Sequence, residues 1–376
     1  MIQSCVRSIL AGNFATLRRV KYFLHFIRWL ASASPRWNRE LVETLEAVGR
    51  PGEIDLDDPY ERTEYGVTKF QVGSGGTHEC VFAGDNRIYR FAWPDLCVYR
   101  IPGGVLDTRS GLSFVEGRVV VQANLGFRDS RDSAFVTGAY RRVIQKTPHI
   151  FSTPIASLGR TDNFYHFMIE SLPRIIAINA VEPTAQFVTS TDFSGFSQEV
   201  CALLGLPILI AELDIPLHSH SVLVSTPPQL RQPSRAAISL LKSAFETFIE
   251  PTEKKMIYIS RRFGSRSFAY EYDLEEFLTK RGFHIVYLED MSIAEQVYMM
   301  SSAELVIAPH GAGLTHMIFM RPFTTIIELA TSSHWHSSFR YLSSILDIDF
   351  ETINIDDLEL KDLLELLRAR ISTLNM

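Results

Sequence analysis

From about residue 154 onward, short apolar runs alternate with amphipathic segments, a pattern typical of strands that alternate with helices. The first set predicts helices at residues 163–180, 197–204 and 233–249, with strands at 185–189, 208–212 and 221–224. The second set predicts strands at residues 256–260, 284–288, 304–308 and 324–329, with helices at 274–281, 293–301, 314–320, 337–346 and 356–371. Two consecutive sets joined by a long helix predict two doubly wound α/β domains that face each other across a cleft.

The chain before residue 154 follows a different pattern. Residues 51–59 are acidic and contain two prolines, which is typical of a linker. From there to about residue 135, short β-rich runs lie between turn residues, and we expect a small sheet of its own. The predicted organisation is a basic N-terminal helical segment (1–50), a small β-rich region (51–153), an N-terminal Rossmann-like domain (154–250) and a C-terminal Rossmann-like domain (251–376).

Composition restricts the class of protein. A chain of 376 residues suits two domains, and its 46% hydrophobic and 21% charged residues are typical of a soluble globular protein. The net charge of −6 provides no basic field for nucleic acid. The four cysteines show neither CxxC nor Cys/His spacing, which argues against a zinc site and a disulfide framework. We therefore expect a reducing compartment, the cytoplasm.

The N-terminus is the one charge anomaly. Residues 1–37 contain six basic residues and no acid. The aromatic-rich stretch 20–30 is interrupted by Lys21 and Arg28, so it is too short and too charged to span a bilayer, and no secretory cleavage site follows it. Two interpretations stay open: the segment lies on the anionic inner face of a membrane, or it packs on the body with its basic face solvated.

A glycine turn lies between a predicted strand and a predicted helix in residues 308–322, APHGAGLTHMIFMRP. Gly311 and Gly313 fall where the strand should end and the helix begin, and His310 stands at the start of the turn. A turn of this kind directs backbone N–H groups and the positive end of the helix dipole at one point, which suits a phosphate. Ordinary loop geometry is the alternative interpretation, because such turns are common.

Charged residues also follow predicted strands of the same set. Arg261, Arg262 and Arg266 come after strand 256–260, at the carboxyl end where ligands bind in open α/β sheets. Arginine matches phosphate oxygens, so these residues suggest an anion site, with a solvated basic turn as the alternative. Glu328 ends strand 324–329 and is placed to accept the hydroxyls of a ribose, or to cap a helix.

The segment 162–174, DNFYHFMIESLPR, carries a possible acid–base pair. Asp162 or Asn163 is a plausible helix cap. His166 and Glu170 are four residues apart and therefore on one helix face, where a carboxylate would raise the basicity of the imidazole. A surface ion pair is the alternative, but the apolar residues around the pair indicate a partly buried face. No third ligand accompanies the closely spaced histidines at 218 and 220 or at 334 and 336, so we predict no metal site.

Together these motifs resemble glycosyltransferase family 61, which includes bacterial capsular-polysaccharide enzymes, plant xylan-decorating transferases and animal protein O-N-acetylglucosaminyltransferases. The hallmarks are an Asn-x-x-His helix followed by an acid, an ISRR strand end and a Pro-His-Gly-Ala-Gly-Leu-Thr turn; they occur here at residues 163–170, 259–262 and 309–315. The resemblance covers residues 154–329 and departs at His316, where the family usually has Asn, and at Phe167, where many members have Trp.

The resemblance implies a GT-B-like fold, α/β with two Rossmann-type domains facing across a cleft, behind an N-terminal helical and β-rich extension. It implies sugar transfer with inversion and without an obligatory metal, and a base that is Glu170, His166 or Asp162. The residues expected to bind the donor are Arg261, Arg262, Arg266, His310, Gly311, Ala312, Gly313, Thr315 and Glu328. Asn163 and Arg174 are expected to support the acceptor side.

The function expected from this resemblance is transfer from a nucleotide sugar to a glycan, polysaccharide or lipid-linked acceptor, in cell-surface or capsular polysaccharide synthesis, with no cofactor. Two other functions remain open at this point. One is a non-catalytic protein that binds nucleotide sugars or glycans in the same cleft. The other is a different sugar-modifying transferase on a GT-B-like scaffold, such as a pyruvyltransferase.

Overall fold

A computed structural model of the chain describes residues 53–374, apart from residues 56, 82–87, 121–132, 160, 190–192, 194, 212–214, 227–231, 250–252, 263–269 and 333–336. The basic N-terminal segment and Arg266 lie outside the described residues. The strands are β1 Glu53–Ile54, β2 Thr68–Gly73, β3 Gly76–Val81, β4 Ile88–Trp93, β5 Leu96–Pro102, β6 Val105–Asp107, β7 Ser113–Val115, β8 Arg118–Val120, β9 His149–Phe151, β10 Ile155–Ser157, β11 Gln186–Thr189, β12 Ile208–Ile210, β13 Pro216–Ser219, β14 Ser221–Ser225, β15 Lys255–Ile259, β16 His284–Val286, β17 Ala303–Pro309, β18 Thr325–Ala330 and β19 Asp349–Asn354.

The described α-helices are α1 Pro59–Glu64, α2 Ser133–Gln145, α3 Phe164–His166, α4 Leu172–Val181, α5 Gly195–Leu203, α6 Arg235–Ala244, α7 Glu271–Thr279, α8 Ile293–Ser301, α9 Ser338–Leu346 and α10 Leu360–Leu374. A π-helical segment, Phe167–Ser171, joins α3 to α4, and residues 164–181 are called the histidine helix below. A 3₁₀ helix, Ala312–Phe319, replaces the α-helix expected at residues 314–320. Together with the sheets described next, these elements make a mixed α/β fold. None of the helices in the described part of the chain is long and apolar enough to cross a bilayer.

The C-terminal sheet is fully parallel and has the strand order β16-β15-β17-β18-β19. Counted within this sheet, the order is 2-1-3-4-5, the doubly wound arrangement in which the strand order reverses between the first and third strands. Strands β17 and β18 are buried on nearly every residue, as expected for parallel strands covered on both faces. The edge strand β19 was not predicted, because its mixed polar sequence shows no clear alternation.

A second sheet contains the first predicted α/β set, in the order β12-β11-β10-β14-β5-β2. Its first four strands are parallel, with β10 between β11 and β14, so this sheet also reverses its order next to β10. Strand β5 then pairs antiparallel with β14. The carboxyl ends of β10 and β14 therefore form a second edge at which an open α/β sheet can bind a ligand.

The expectation of a separate small sheet before residue 154 was wrong. Strand β5 joins the second sheet, and β6 pairs with β13 in a third sheet of order β1-β8-β7-β6-β13-β9. The physical reason is burial: four residues of β5, from Cys97 to Tyr99 and Ile101, are at most 1% exposed, so the strand needs cover on both faces. Among the described strands, only the hairpin β3–β4 pairs solely with itself.

The two α/β sets pack directly on each other. One hydrophobic cluster includes Phe167 and Leu172 from the first set and Ile259 and Val306 from the second. The hairpin β3–β4 adds a further link, because Phe91 lies edge-on to Tyr341 of α9 with ring centroids 4.3 Å apart. The histidine helix therefore faces the C-terminal sheet across a shared core.

Candidate active site

The histidine helix begins at a well-defined cap. The Asn163 side-chain oxygen accepts a hydrogen bond from the backbone N–H of His166 at 3.3 Å, so Asn163 is the N-cap and the neighbouring Asp162 is exposed. The π-helical turn that follows, Phe167–Ser171, inserts an irregularity of the kind that is frequent at functional sites. It keeps His166 and Glu170 in contact, with Nδ1 and Oε2 2.9 Å apart.

His166, Glu170 and Arg174 form a row of three charged or ionisable groups along the helix. The Glu170 side chain is 2% exposed and the His166 side chain 14%, so the imidazole lies nearer to solvent than its carboxylate. Arg174 donates from Nη2 to the carbonyl oxygen of Ser225, at the end of β14. Burial lowers the pKa of Arg174 to about 10, and the negative charge of Glu170 opposes that shift. The guanidinium therefore stays charged at neutral pH.

This arrangement separates the roles of the two expected base residues. A buried carboxylate bonded to Nδ1 fixes the tautomer and orientation of the imidazole and stabilises the imidazolium that forms when Nε2 takes a proton. Glu170 thus lies behind His166, in the position of an orienting group. Of the two side chains, the His166 ring is the one nearer to solvent.

A second histidine–carboxylate pair lies at the end of the C-terminal sheet. His310 follows β17, and its Nδ1 lies 2.6 Å from Oε1 of Glu328 in β18. The other carboxylate oxygen accepts a hydrogen bond from the Thr352 hydroxyl at 2.8 Å. Glu328 is 1% exposed with both oxygens occupied, which differs from the expectation that it accepts ribose hydroxyls. Its geometry is that of a group that orients His310.

Arg261 lies directly over the glycine turn, residues 310–313. A Cβ atom added to Gly311 would collide with the Arg261 guanidinium, so only glycine at position 311 leaves room for the Arg261 side chain. A Cβ at Gly313 would come within 3.3 Å of Ile259, so this second glycine serves packing. Ala312 beside it is half-buried. Thr315 is fully buried, and its hydroxyl has no hydrogen-bond partner among the described residues, so it faces the interior rather than the turn surface.

The two adjacent arginines face different neighbours. The backbone N–H of Arg261 is fixed by Glu271 at 2.9 Å, which leaves its side chain over the glycine turn. Arg262 instead pairs with Glu275 at 3.3 Å and stacks on Tyr272 at 4.8 Å, so it binds helix α7. The sequence interpretation treated both as anion ligands and missed their contacts with Glu271 and Glu275 of α7. The spacing of four residues between these two acids was the available signal.

The two histidine–carboxylate pairs meet at an aromatic contact. Tyr165 lies edge-on to His166 and to Phe339, with ring centroids 5.5 and 5.4 Å apart. Phe339 in turn lies edge-on to His310, at 5.3 Å. The structure therefore brings together residues 165–166, 310 and 339, which are far apart in sequence. Phe339 was not predicted, since nothing in its local sequence distinguishes it.

His316, the departure from the family pattern, joins the glycine turn to the histidine helix. Its ring stacks on Phe164 at 4.5 Å, its Nδ1 lies 2.9 Å from the Gly313 carbonyl oxygen, and its Nε2 lies 2.5 Å from the side-chain oxygen of Gln296. Complete burial lowers the pKa of His316 to about 4, so the ring is neutral at physiological pH and donates from one nitrogen only. Its contacts are those of a residue that holds two elements together.

Within the described ranges, no group of three or more His, Cys, Asp or Glu side chains is arranged to hold a metal ion. The ionisable side chains described above near the glycine turn and the histidine helix are two arginines, three histidines and two buried carboxylates.

Comparison with known proteins identifies relatives of the central part of the chain. Residues 164–327 match the family model described as Glycosyltransferase 61. The chain is 32% identical over 65 residues to "Beta-1,2-xylosyltransferase RCN11" of Oryza sativa subsp. japonica, which is 17% of this chain and 12% of that protein. It is 31% identical over 80 residues to "Beta-1,2-xylosyltransferase" of Arabidopsis thaliana, which is 21% of this chain and 15% of that protein. Residues 164–327 of this chain are therefore a glycosyltransferase 61 domain.

Proposed function

We propose that the protein is an inverting glycosyltransferase that moves a sugar from a nucleotide-sugar donor to a glycan or polysaccharide acceptor. The observation that carries this proposal is the meeting of two histidines, each held by a buried carboxylate, on the two sides of the Tyr165–Phe339 contact. One pair supplies a base, and the other belongs to a turn suited to a diphosphate. Transfer with inversion needs both groups close together.

The donor diphosphate, in this proposal, lies at the carboxyl ends of β15 and β17. This is the point where the strand order reverses, and ligands of open α/β sheets bind there. The Arg261 guanidinium and the backbone N–H groups of the glycine turn neutralise the charge that develops on the leaving diphosphate. His310, oriented by Glu328, contributes a further hydrogen bond. Arg266 remains an expected ligand of the same group.

The acceptor hydroxyl gives its proton to Nε2 of His166 as its oxygen attacks the anomeric carbon. The bond from that carbon to the donor diphosphate breaks, and the leaving group takes the electron pair. Glu170 stabilises the imidazolium through Nδ1–H. General-base catalysis of this kind contributes roughly 10²–10⁴ in rate.

The finer architecture is proposed as GT-B-like, with residues 154–250 as the acceptor-side half and 251–376 as the donor-side half. The support is that each half contains a parallel sheet whose strand order reverses beside its first strand. The names of the two plant relatives favour transfer of a pentose such as xylose. We further propose that no metal and no cofactor are required, and that the products are cell-surface glycans.

The test compares turnover with donor affinity in Glu170→Gln and His166→Ala. Both variants should lose roughly 10²–10⁴ in turnover while a nucleoside diphosphate binds within about twofold of wild type. Glu182→Gln, near the end of the same helix and paired with Arg100, is the matched control and should retain activity.

Near-normal turnover in Glu170→Gln would make Glu170 structural and leave His166 or Asp162 as the base. If both variants unfold early and lose nucleotide binding, the pair holds the helix and the proposed catalytic role is wrong.

A further inference from the structure

A small cavity lies along the histidine helix, beside Glu170, the carboxylate that contacts the proposed base His166. It is about 40 Å³ in volume and is lined by Glu170 and Arg174 of the helix, by Trp93 and by Thr226, Pro233 and Ala237. Thr226 directly follows β14, so the cavity lies at the carboxyl end of that strand. In the second sheet this is the edge where the strand order reverses, the position at which open α/β sheets bind ligands.

The lining combines one charged pair with apolar walls. The Glu170 carboxylate accepts hydrogen bonds, the Arg174 guanidinium donates them, and both residues are at most 9% exposed. Trp93 and Pro233 form apolar surface around them. A hydroxyl group, which donates and accepts at once, matches this pair. A carboxylate would meet the negative charge of Glu170, and a purely apolar group would gain no hydrogen bond from either residue.

The volume limits what can enter. A cavity of roughly 10–15 Å³ holds one water molecule, so about 40 Å³ accommodates a group of two or three heavy atoms rather than a whole sugar ring. A hydroxymethyl arm has this size and carries the required hydroxyl. The cavity is also held in shape, because the Trp93 indole donates to the Gln232 carbonyl oxygen at 3.2 Å and packs against Tyr341.

We propose that this cavity binds the hydroxymethyl arm of a neutral hexose unit of the acceptor, and so selects hexose acceptors over pentoses and uronic acids. This inference rests on the proposed function, because the bound sugar is an acceptor only if the protein is a glycosyltransferase. Because Glu170 lines the cavity and also holds His166, an arm bound there brings a hydroxyl of the same ring toward the base. A pentopyranose has no such arm, and a uronic acid has a carboxylate in its place.

The experiment measures direct binding of three methyl glycosides to the full chain by saturation-transfer NMR titration. The probes are methyl β-glucopyranoside, methyl β-xylopyranoside and methyl β-glucuronide. The glucoside should bind roughly 10- to 200-fold more tightly than the xyloside, the range for one buried group, and its C6 protons should receive strong saturation. The glucuronide should bind no better than the xyloside.

Ala237→Leu fills the cavity without changing its charged pair and should reduce glucoside affinity to the level of the xyloside. Ser239→Leu adds a leucine at an exposed position of the same helix, α6, and should leave affinity unchanged. Ala237→Val is the smaller replacement to use if the leucine variant melts early.

Equal binding of glucoside and xyloside, or an unchanged glucoside affinity in a folded Ala237 variant, overturns the inference. The transfer assay tests the proposed function, and the glycoside titration tests this inference separately. Binding with the predicted selectivity but without transfer from any nucleotide sugar would contradict the proposed function alone. Transfer that continues without this selectivity would contradict the inference alone.

Discussion

The contact between Gly311 and Arg261 gives the sharpest prediction about donor binding. In Gly311→Ala, the new methyl group occupies the position of the Arg261 guanidinium, whose atoms are the three nearest to an added Cβ. The Arg261 backbone is fixed to Glu271 at 2.9 Å, so the displacement falls on its flexible side chain. Gly311 also has a φ of +158°, which L side chains rarely adopt, so we expect Gly311→Ala to lower the melting temperature as well as to remove the arginine from the anion site.

The size of the effect follows from the bonds that the guanidinium makes. Hydrogen bonds between charged groups contribute roughly 1.5–3 kcal/mol, which corresponds to a dissociation constant for a nucleoside diphosphate that is about 10- to 150-fold higher. Isothermal titration calorimetry with UDP measures it. Gly205→Ala, where φ is also positive and an added Cβ meets no other atom, is the matched control and should bind as wild type.

Arg261→Ala should weaken UDP binding by the same amount, and the double variant should be no weaker than either single one. Substitutions that remove one shared interaction are not additive. If Gly311→Ala binds UDP normally, or if the two losses add in full, Arg261 does not act at the glycine turn and the proposed donor site is wrong.

Three further predictions concern metal, pH and the N-terminus. Transfer should persist in excess EDTA; loss of activity that added Mn²⁺ restores would contradict this. Folding lowers the pKa of His316 from 6.5 to about 4, so between these pH values the unfolded chain binds a proton that the folded chain does not. The free energy of unfolding should therefore fall by roughly 3 kcal/mol as the pH drops from 6.5 to 4. His316→Asn should remove that part of the pH dependence in urea unfolding, and identical curves for both proteins would refute it. The intact chain should sediment with phosphatidylserine vesicles at low salt, and deleting residues 1–37 should abolish this sedimentation. An intact chain that does not sediment would contradict the prediction.

The elements that the sequence predicted well are those whose signal is local. Strands β15, β17 and β18 were identified because a buried parallel strand is a continuous apolar run between turns. The glycine turn and Arg261 were identified for a related reason, since a residue that follows a strand lies at its carboxyl end whatever the topology. The pairing of His166 with Glu170 was predicted from their spacing of four residues and is confirmed at 2.9 Å, although the turn between them is π-helical rather than α-helical.

What the sequence could not decide depends on contacts between distant segments. The apolar run of β5 indicates burial but does not name β14 as its partner, so the β-rich region was interpreted as a separate sheet. Glu328 and Arg262 carry charges suited to a ligand, and only the positions of His310, Thr352 and Glu275 show that protein groups already occupy them. The spacing of apolar residues along a helix or strand shows which of its faces are buried, because the buried positions repeat with the geometry of that element. The identity of the neighbour is set by packing between elements far apart in the chain, and no local pattern encodes it.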